Sequence, residues 1–369
     1  MKVRLLLISR KWPPAIGGME TYSVELAASL GQDFDVETLV LAGCDDGHPP
    51  GLLAYGWFVL KAMMVCLLRG RAYANVIFGD LVLFPAAVCH WLVARRSRRL
   101  VIVYGLDLVY QTRSGLLPRL YRIFFASFRK CQGVFSTIVA ISRYTAKLAD
   151  EAGLRDVVVI NPSLPEGGLA DADLTHGGLP DSWNHATRRI LYLGRLVPRK
   201  GSLWYAENVL PHLADNVDFF VIGQSSDTAF KRRLEQCKKT HCLGRVDAPR
   251  LAAMIRAADV VVMPNIATPD AVDVEGFGLA AIEASALGGR LLASRIDGIT
   301  DAVIDDSTGT LVQPGDSSEW VRATTRALAT PCAELSNLRT KAAAATRETY
   351  SRETQSTAFT RLLRTADIS

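Results

Sequence analysis

The chain has 369 residues and no cysteine framework. Its seven cysteines are scattered and odd in number, which excludes a disulfide scaffold and fits a reducing compartment. The nearest approach to a metal motif, Cys237 to Cys242 with His241 between them, has no second ligand pair and does not read as a zinc site. A run of about 20 apolar residues, enough to span a bilayer, is also missing. The longest apolar stretch, 52–68, is broken by Gly56 and Lys61 and reads as a buried or membrane-dipping helix. No secretory signal is expected, because Lys2 to Ile8 runs straight into a Pro/Gly loop. An Asp-x-Asp metal motif is absent from any suitable context. Asp33-Phe34-Asp35 precedes a strand in an exposed position, and Asp171-Ala172-Asp173 falls in a linker. No nucleic-acid-binding motif accompanies the net charge of +5.

What is present is apolar material for two cores: 49% hydrophobic and 21% charged residues over a length that favours two domains. The positive excess is local. Arg95, Arg96, Arg98 and Arg99 cluster, and Arg113, Arg119, Arg122, Arg129 and Lys130 follow, interleaved with Leu116, Leu117, Tyr121, Phe124, Phe125 and Phe128. A basic, aromatic-bearing amphipathic stretch suits an anionic membrane surface. Its plainer reading is a solvated face over an ordinary core helix.

Strand-like and helix-like patterns alternate through both halves. Strands are expected at Val3–Ser9, Val36–Leu41, Val76–Gly79, Leu100–Tyr104, Thr137–Ile141 and Val157–Ile160. A second series is expected at Arg189–Leu193, Val217–Ile222, Cys242–Leu243, Val260–Met263, Leu291–Ser294 and Gly309–Val312. Such alternation implies doubly wound parallel sheets. The expected division is residues 1–165 as a first Rossmann-like domain, 166–187 as linker and loop, and 188–350 as a second Rossmann-like domain. Residues 351–369 form a C-terminal helix that can return to the first domain. Two such α/β domains facing a cleft place ligands at the carboxyl ends of the strands.

The segment from Asp273 to Gly289 carries the most chemistry. An apolar strand (Val260 to Met263) leads into it, and strong helix formers follow from Leu279. Glu275 and Glu283 are eight positions apart. On one continuous helix they would diverge by about 80°. With Gly276 and Gly278 between them, Glu275 is expected in the loop and Glu283 in the early helix, both facing one ligand. Free backbone N–H groups at such a joint favour a phosphate, and carboxylates accept hydrogen bonds from sugar hydroxyls. Together they suggest a nucleotide-sugar. The alternative is a strand–loop–helix joint with two solvated acids.

Other strand ends offer partners. Gly194-Arg195 follows a strand and Lys200-Gly201 closes the next loop. Two fixed cations there are what a diphosphate leaving group needs as its charge grows. Arg199 reads as a solvated neighbour. Gly17-Gly18 precedes a helix start and can form an anion nest. Asp107 follows a strand and can bond a sugar or shape a turn. Ser142 reads as a helix cap, as does Asp316 with Glu319 three residues on.

Taken together, Gly17-Gly18-Met19-Glu20, Val139-Ala140-Ile141-Ser142, Gly194-Arg195 with Lys200-Gly201, Val221-Ile222-Gly223, Ala257 to Pro264, Glu275-Gly276-Phe277-Gly278 with Glu283, Asp297-Gly298-Ile299 and Gly309 to Val312 resemble the family 4 retaining glycosyltransferases (glycosyl transferases group 1). The likeness runs over nearly the whole chain. It implies the GT-B fold of two Rossmann-like domains and an enzyme that moves a hexose from a nucleotide diphosphate-sugar, with retention and without a metal or other cofactor. Arg195 and Lys200 would hold the donor diphosphate, Glu275 the sugar hydroxyls and Glu283 the ribose. Phe277, Gly278 and Leu279 would bring backbone N–H groups to the donor. Gly17, Gly18 and Gly223 would line its site, and the first domain would bind the acceptor. The donor is expected to be a UDP- or GDP-sugar. The acceptor is expected to be lipid-linked or a polysaccharide, at the cytoplasmic face of a membrane, in cell-envelope, lipopolysaccharide or exopolysaccharide biosynthesis.

The chain departs from the family at Tyr104, where many members carry His in a His-Gly-x-Asp or His-Gly-x-Glu motif. Tyr104 and Asp107 remain candidates to touch donor sugar or acceptor. Asn161-Pro162 and Pro264-Asn265 replace Asn-Gly and Pro-Ser. The alternative from another class is a catalytically reduced homologue that binds nucleotide-sugar and scaffolds a partner glycosyltransferase. Epimerisation and cofactor-dependent phosphorolysis lack the acid–base array and the cofactor lysine they would need.

Overall fold

The computed structural model describes residues 2–45, 47–165, 179–267 and 273–364. Asp171 and Asp173, and much of the expected linker, lie outside the described residues. The chain divides into two compact units. Unit 1 runs to Ser163 and resumes at Tyr350, and unit 2 runs from Leu164 to Thr349.

Unit 1 is a six-stranded sheet. Its strands are β1 (Val3–Trp12), β2 (Phe34–Ala42), β3 (Asn75–Phe78), β4 (Arg98–Val103), β5 (Thr137–Ala140) and β6 (Val157–Val159), in the order β2-β1-β3-β4-β5-β6. Every pairing is parallel. Its helices are α1 (Gly18–Leu30), α2 (Leu52–Arg69), α3 (Phe84–Val93), α4 (Leu106–Val109), α5 (Leu116–Lys130) and α6 (Arg143–Glu151). Near-continuous apolar runs such as Leu5 to Ile8 are buried, as a sheet covered on both faces requires. One face packs Phe58 and Ala62 of α2, Ala86 and Ala87 of α3, and Phe125 and Phe128 of α5 into a single cluster with Leu6, Val76 and Val101. Ser142 caps α6, its hydroxyl accepting from the Thr145 N–H at 2.9 Å.

Unit 2 holds α7 (Asp181–His185), β7 (Arg188–Leu193), α8 (Ser202–Asn208), β8 (Val217–Ile222), α9 (Thr228–Glu235), β9 (Thr240–Gly244), α10 (Ala248–Ala257) and β10 (Val260–Met263). It continues through α11 (Leu279–Ala286), β11 (Leu291–Ser294), α12 (Ile299–Ala302), β12 (Thr310–Val312), α13 (Ser317–Leu328) and α14 (Cys332–Thr349). This sheet is also parallel, ordered β12-β11-β10-β7-β8-β9. Asp316 caps α13 by accepting from the Glu319 N–H at 2.9 Å, and α13 ends at Leu328 as its pattern predicts.

Both Rossmann-like α/β sheets are therefore present, with all twelve strands at their expected places. Three local readings are corrected. The segment 166–187 contains helix α7, folded because Trp183 is buried against Phe220. The stretch from about 334 to 365, whose polar pattern reads as one long helix, is two helices. It breaks after Thr349, and Ser351 caps α15 (Arg352–Arg364) by accepting from the Thr354 N–H at 3.1 Å. Asp33 is not simply exposed, because it receives Ser356 and Arg364 of α15, both at 3.1 Å. Phe359 of α15 is fully buried in unit 1.

Candidate functional site

Each sheet has a point where the chain reverses its direction of winding, and ligands of open α/β sheets bind outside the carboxyl ends of the strands there. In unit 2 the reversal lies between β7 and β10, which are neighbours in the sheet. The loop after β7 carries Arg195, Arg199 and Lys200. The loop after β10 carries Asn265, Asp273 and Glu275. Parallel winding thus brings together residues about 75 positions apart in the chain.

Glu275 is the centre of this meeting. Lys200 Nζ lies 2.6 Å from its carboxylate and Arg199 Nη1 2.8 Å. The Asn265 side-chain amide donates to the same oxygen at 3.3 Å. Its backbone N–H donates to Asp297 at 3.0 Å, and its carbonyl accepts from the Gly298 N–H at 2.9 Å. Burial by itself would push the carboxyl up, but Lys200 and Arg199 outweigh it and hold it down at about 2. Glu275 is a fixed anion in a cage of cations.

Arg199 is not the solvated neighbour that its position in a loop suggested. It is buried, and its second partner Asp273 stands 3.3 Å away. Arg195 is the exposed member of the trio. Among the described residues it has no carboxylate partner, and its loop is pinned by the Tyr192 hydroxyl donating to its carbonyl at 2.9 Å. The geometry separates a structural cation, Arg199, from one free to meet a ligand, Arg195. Lys200 sits between these roles. The turn that delivers it ends at Gly201, whose φ is 73° and whose added Cβ would stand 1.8 Å from the Pro264 carbonyl oxygen. Only glycine allows the two loops to approach so closely.

Glu283 lies within α11, beyond Gly278 at φ 105°. Its carboxyl finds no hydrogen-bond partner among the described residues, and burial pushes it up to about 7. Phe277 has its ring buried, and Leu279 opens α11. Gly223 follows β8 directly, and its N–H donates to the Gly244 carbonyl at 2.8 Å.

Unit 1 has its own reversal between β1 and β3. There Arg10 at the end of β1 donates to Asp80 beyond β3 at 2.5 Å, and its guanidinium lies 5.0 Å from the Tyr55 ring. Lys11 stands 3.8 Å from the buried Glu20. Asp107, beyond β4, accepts from the Tyr104 N–H at 3.3 Å, and burial together with the Asp80 charge pushes its carboxyl up to about 6. Tyr104 itself is buried edge-on against Tyr22 at 5.6 Å. Gly17 and Gly18 open α1, with the Gly17 carbonyl accepting from the Thr21 N–H at 3.1 Å.

Sequence reading did not name Arg10 or Asp80, and it gave Arg199, Asp273, Asn265 and Asp297 no part in the site. The signal available was position, since Arg10 lies near the end of β1 and the others fall in loops that leave strands. Among the described residues no cluster of three His, Cys, Asp or Glu stands together. His241 is accounted for by Asp218 at 2.8 Å and by stacking on Phe220.

Residues 187–330 match the family model of glycosyl transferases group 1. A glycogen synthase of Mycobacterium tuberculosis is 25% identical over 378 aligned positions, covering 90% of this chain and 87% of that protein. Among solved structures, sucrose-phosphate synthase from Thermosynechococcus elongatus superposes with a TM-score of 0.73 at 18% identity, over 98% of both chains. Anabaena HepE in complex with UDP-glucose superposes with a TM-score of 0.70 at 17% identity, over 98% of this chain and 99% of that one. These likenesses carry the two-domain α/β fold of GT-B glycosyltransferases.

Proposed function

We propose, since residues 187–330 match the model of glycosyl transferases group 1, that the chain is a transferase of that group and moves a hexose from a nucleotide diphosphate-sugar to a lipid-linked or polysaccharide acceptor. The observation that supports this reading is the gathering of Lys200, Arg199 and Glu275, with the exposed Arg195, at the switch point of the second sheet. The bond from the sugar's C1 to the diphosphate oxygen breaks, and a bond from C1 to the acceptor oxygen forms on the same face. The leaving phosphate oxygen takes the acceptor's proton. Arg195 and Lys200 stabilise the charge that grows on the diphosphate. Glu275, kept ionised by its cage, accepts from donor-sugar hydroxyls, and Glu283 accepts from the ribose. Phe277, Gly278 and Leu279 offer backbone N–H groups to the donor, with Gly223 beside it. No metal or other cofactor enters this scheme.

A UDP-hexose is the first donor to try, since the structural neighbour HepE was solved with UDP-glucose, and a GDP-sugar is the second. The acceptor side is assigned to unit 1, around Arg10, Asp80 and Asp107. The basic segments of unit 1 support work at the cytoplasmic face of a membrane, in envelope or exopolysaccharide assembly.

The first test is thermal stabilisation by nucleoside diphosphates and their sugars, with and without EDTA. A ligand that binds only the folded state raises Tm. The expected result is a shift with one base, unaffected by EDTA and lost in Glu283→Ala. No shift with any nucleotide sinks the donor assignment. One observation favours a second reading, a reduced homologue that scaffolds a partner: Tyr104, at the family's His position, is buried and turned away from solvent. Turnover that disappears in Glu275→Ala argues against that reading.

A further inference from the structure

Helix α2 has two apolar faces and uses one. Phe58, Ala62 and Cys66, four residues apart, point into the core of unit 1. On the opposite side Leu53, Trp57, Leu60, Met64 and Leu68 are 84%, 74%, 52%, 60% and 78% exposed. Their steps of four, three, four and four draw one continuous stripe along about 22 Å of helix. Scattered exposed leucines need no explanation, whereas a contiguous stripe does. Although Gly56 and Lys61 interrupt its apolar run, the helical stretch Leu52–Ala72 as folded is long and apolar enough to cross a membrane by length and composition, which the sequence reading of 52–68 did not expect. It is held along the unit instead, because its inner face is locked into the core and Lys61 sits beside the outer one.

Helix α5 adds further exposed apolar surface. Leu116, Leu117, Leu120 and Ile123 in its first turns are all more than half exposed. The crossovers β2 to β3 and β4 to β5 run the same way across the sheet, so right-handed connections put α2 and α5 on the same side. Both helices feed the same core cluster.

The surrounding charge selects the occupant. Between residues 47 and 149 there are fourteen lysines and arginines and two acidic residues, Asp80 and Asp107. That is a net +12, against −7 for the rest of the chain (5 − 12). Asp80 is buried and Asp107 half-buried, both inside the Arg10 cluster, and although Arg69 pairs with Glu37 and Lys147 with Glu151, the remaining cations leave this part of the chain strongly positive. A second copy of this face would meet it with like charge.

We propose that α2, with the first turns of α5, seats unit 1 on the surface of an anionic lipid leaflet, the apolar stripe immersed at the level of the headgroups and Lys61, Arg113 and Arg119 among the lipid phosphates. This deepens the membrane-side acceptor reading and rests on it for its purpose, though not for its geometry. The seat adjoins the polar cluster of unit 1. Tyr55, in the first turn of α2, lies under the Arg10 guanidinium, and the Tyr121 hydroxyl of α5 donates to the Asp107 carbonyl at 2.8 Å. An amphiphilic acceptor can place its polar head at Arg10, Asp80 and Asp107 while its tail stays in the leaflet.

The test is co-sedimentation of the full chain with phosphatidylcholine vesicles, with and without phosphatidylglycerol. Binding is expected only with the anionic lipid, weakening as salt rises. Combined Trp57→Ser, Leu60→Gln and Met64→Gln should cut vesicle partitioning about tenfold or more while Tm stays unchanged. Lys61→Glu with Arg119→Glu should abolish the preference for anionic lipid. No sedimentation at low salt overturns the proposal, and so does undiminished binding by the triple variant. A dimer that the triple variant dissolves, with vesicles ignored, would assign the stripe to a second copy instead. The nucleotide-binding test is independent. If it fails while vesicle binding stands, the transferase reading falls and the membrane seat remains.

Discussion

Lys200 Nζ stands 2.6 Å from the Glu275 carboxylate, across the switch point of the second sheet. The two residues come from loops that the sequence separates widely, and Gly201 permits their approach. Their pairing ties the stability of unit 2 to the proposed donor site.

Replacing Glu275 with Gln should show this tie in a pH titration. The folded carboxyl is held at about 2, below its ordinary 4.5. The stabilisation it contributes is therefore complete above about pH 4.5 and lost as pH falls toward 2. In Glu275→Gln that acid-side loss should flatten, and denaturant unfolding near neutrality should weaken by about 1–3 kcal/mol because Lys200 and Arg199 keep charges without their acceptor. An unchanged acid limb would contradict the cage.

Glu283 should behave in the opposite sense. Burial pushes its carboxyl up to about 7, so the folded state takes up a proton that the unfolded chain releases near 4.5. Its contribution to stability falls as pH rises from about 4.5 to 7 and is level above that. If ribose hydroxyls donate to it, binding must drive the proton off. Nucleoside diphosphate affinity is then expected to climb toward pH 7, with a proton released that calorimetry in two buffers detects. Glu283→Gln should lose the pH dependence and about 10–100-fold in affinity. Proton-neutral binding would refute the assignment.

Arg195 and Arg199 should separate cleanly. Arg195 is exposed, so Arg195→Ala should leave stability within about 0.5 kcal/mol while kcat/KM drops roughly a hundredfold. Arg199→Ala strips a buried partner from Glu275 and should destabilise by about 1–3 kcal/mol. Equal effects of the two on stability would erase the distinction.

The C-terminal helix α15 should be part of the folding unit of residues 2–163. Phe359 is fully buried, Arg352 pairs with Glu25, and Asp33 receives Ser356, Thr360 and Arg364. Phe359→Ala should cost about 3–5 kcal/mol. Removing the Asp33 acceptor should cost about 1–3 kcal/mol. Guanidinium unfolding followed by tryptophan fluorescence checks both, and a silent Phe359→Ala would show that α15 is dispensable.

The sheets were legible because a buried parallel strand must be apolar throughout. Val260 to Met263 and Leu5 to Ile8 announce themselves without reference to anything distant. The caps at Ser142 and Asp316 were legible for a similar reason, since each bonds a backbone group three residues away. Arg199 was misread because a charge in a loop is solvated by default, and only the arrival of Asp273 and Glu275 from beyond β10 buries it. Arg10 and Asp80 carry no local motif at all, and their pairing follows from β1 and β3 being neighbours.

The sequence by itself determined two parallel α/β sheets, their strands, the Glu275 and Glu283 element and the resemblance that it carries, because these rest on periodicity and on residues close in the chain. Only the tertiary structure decided which charges are caged and which are free, and which of α2's two apolar faces lies outside. Those outcomes depend on strand order, which brings distant loops to one edge and hides one side of a helix while leaving the other to its surroundings.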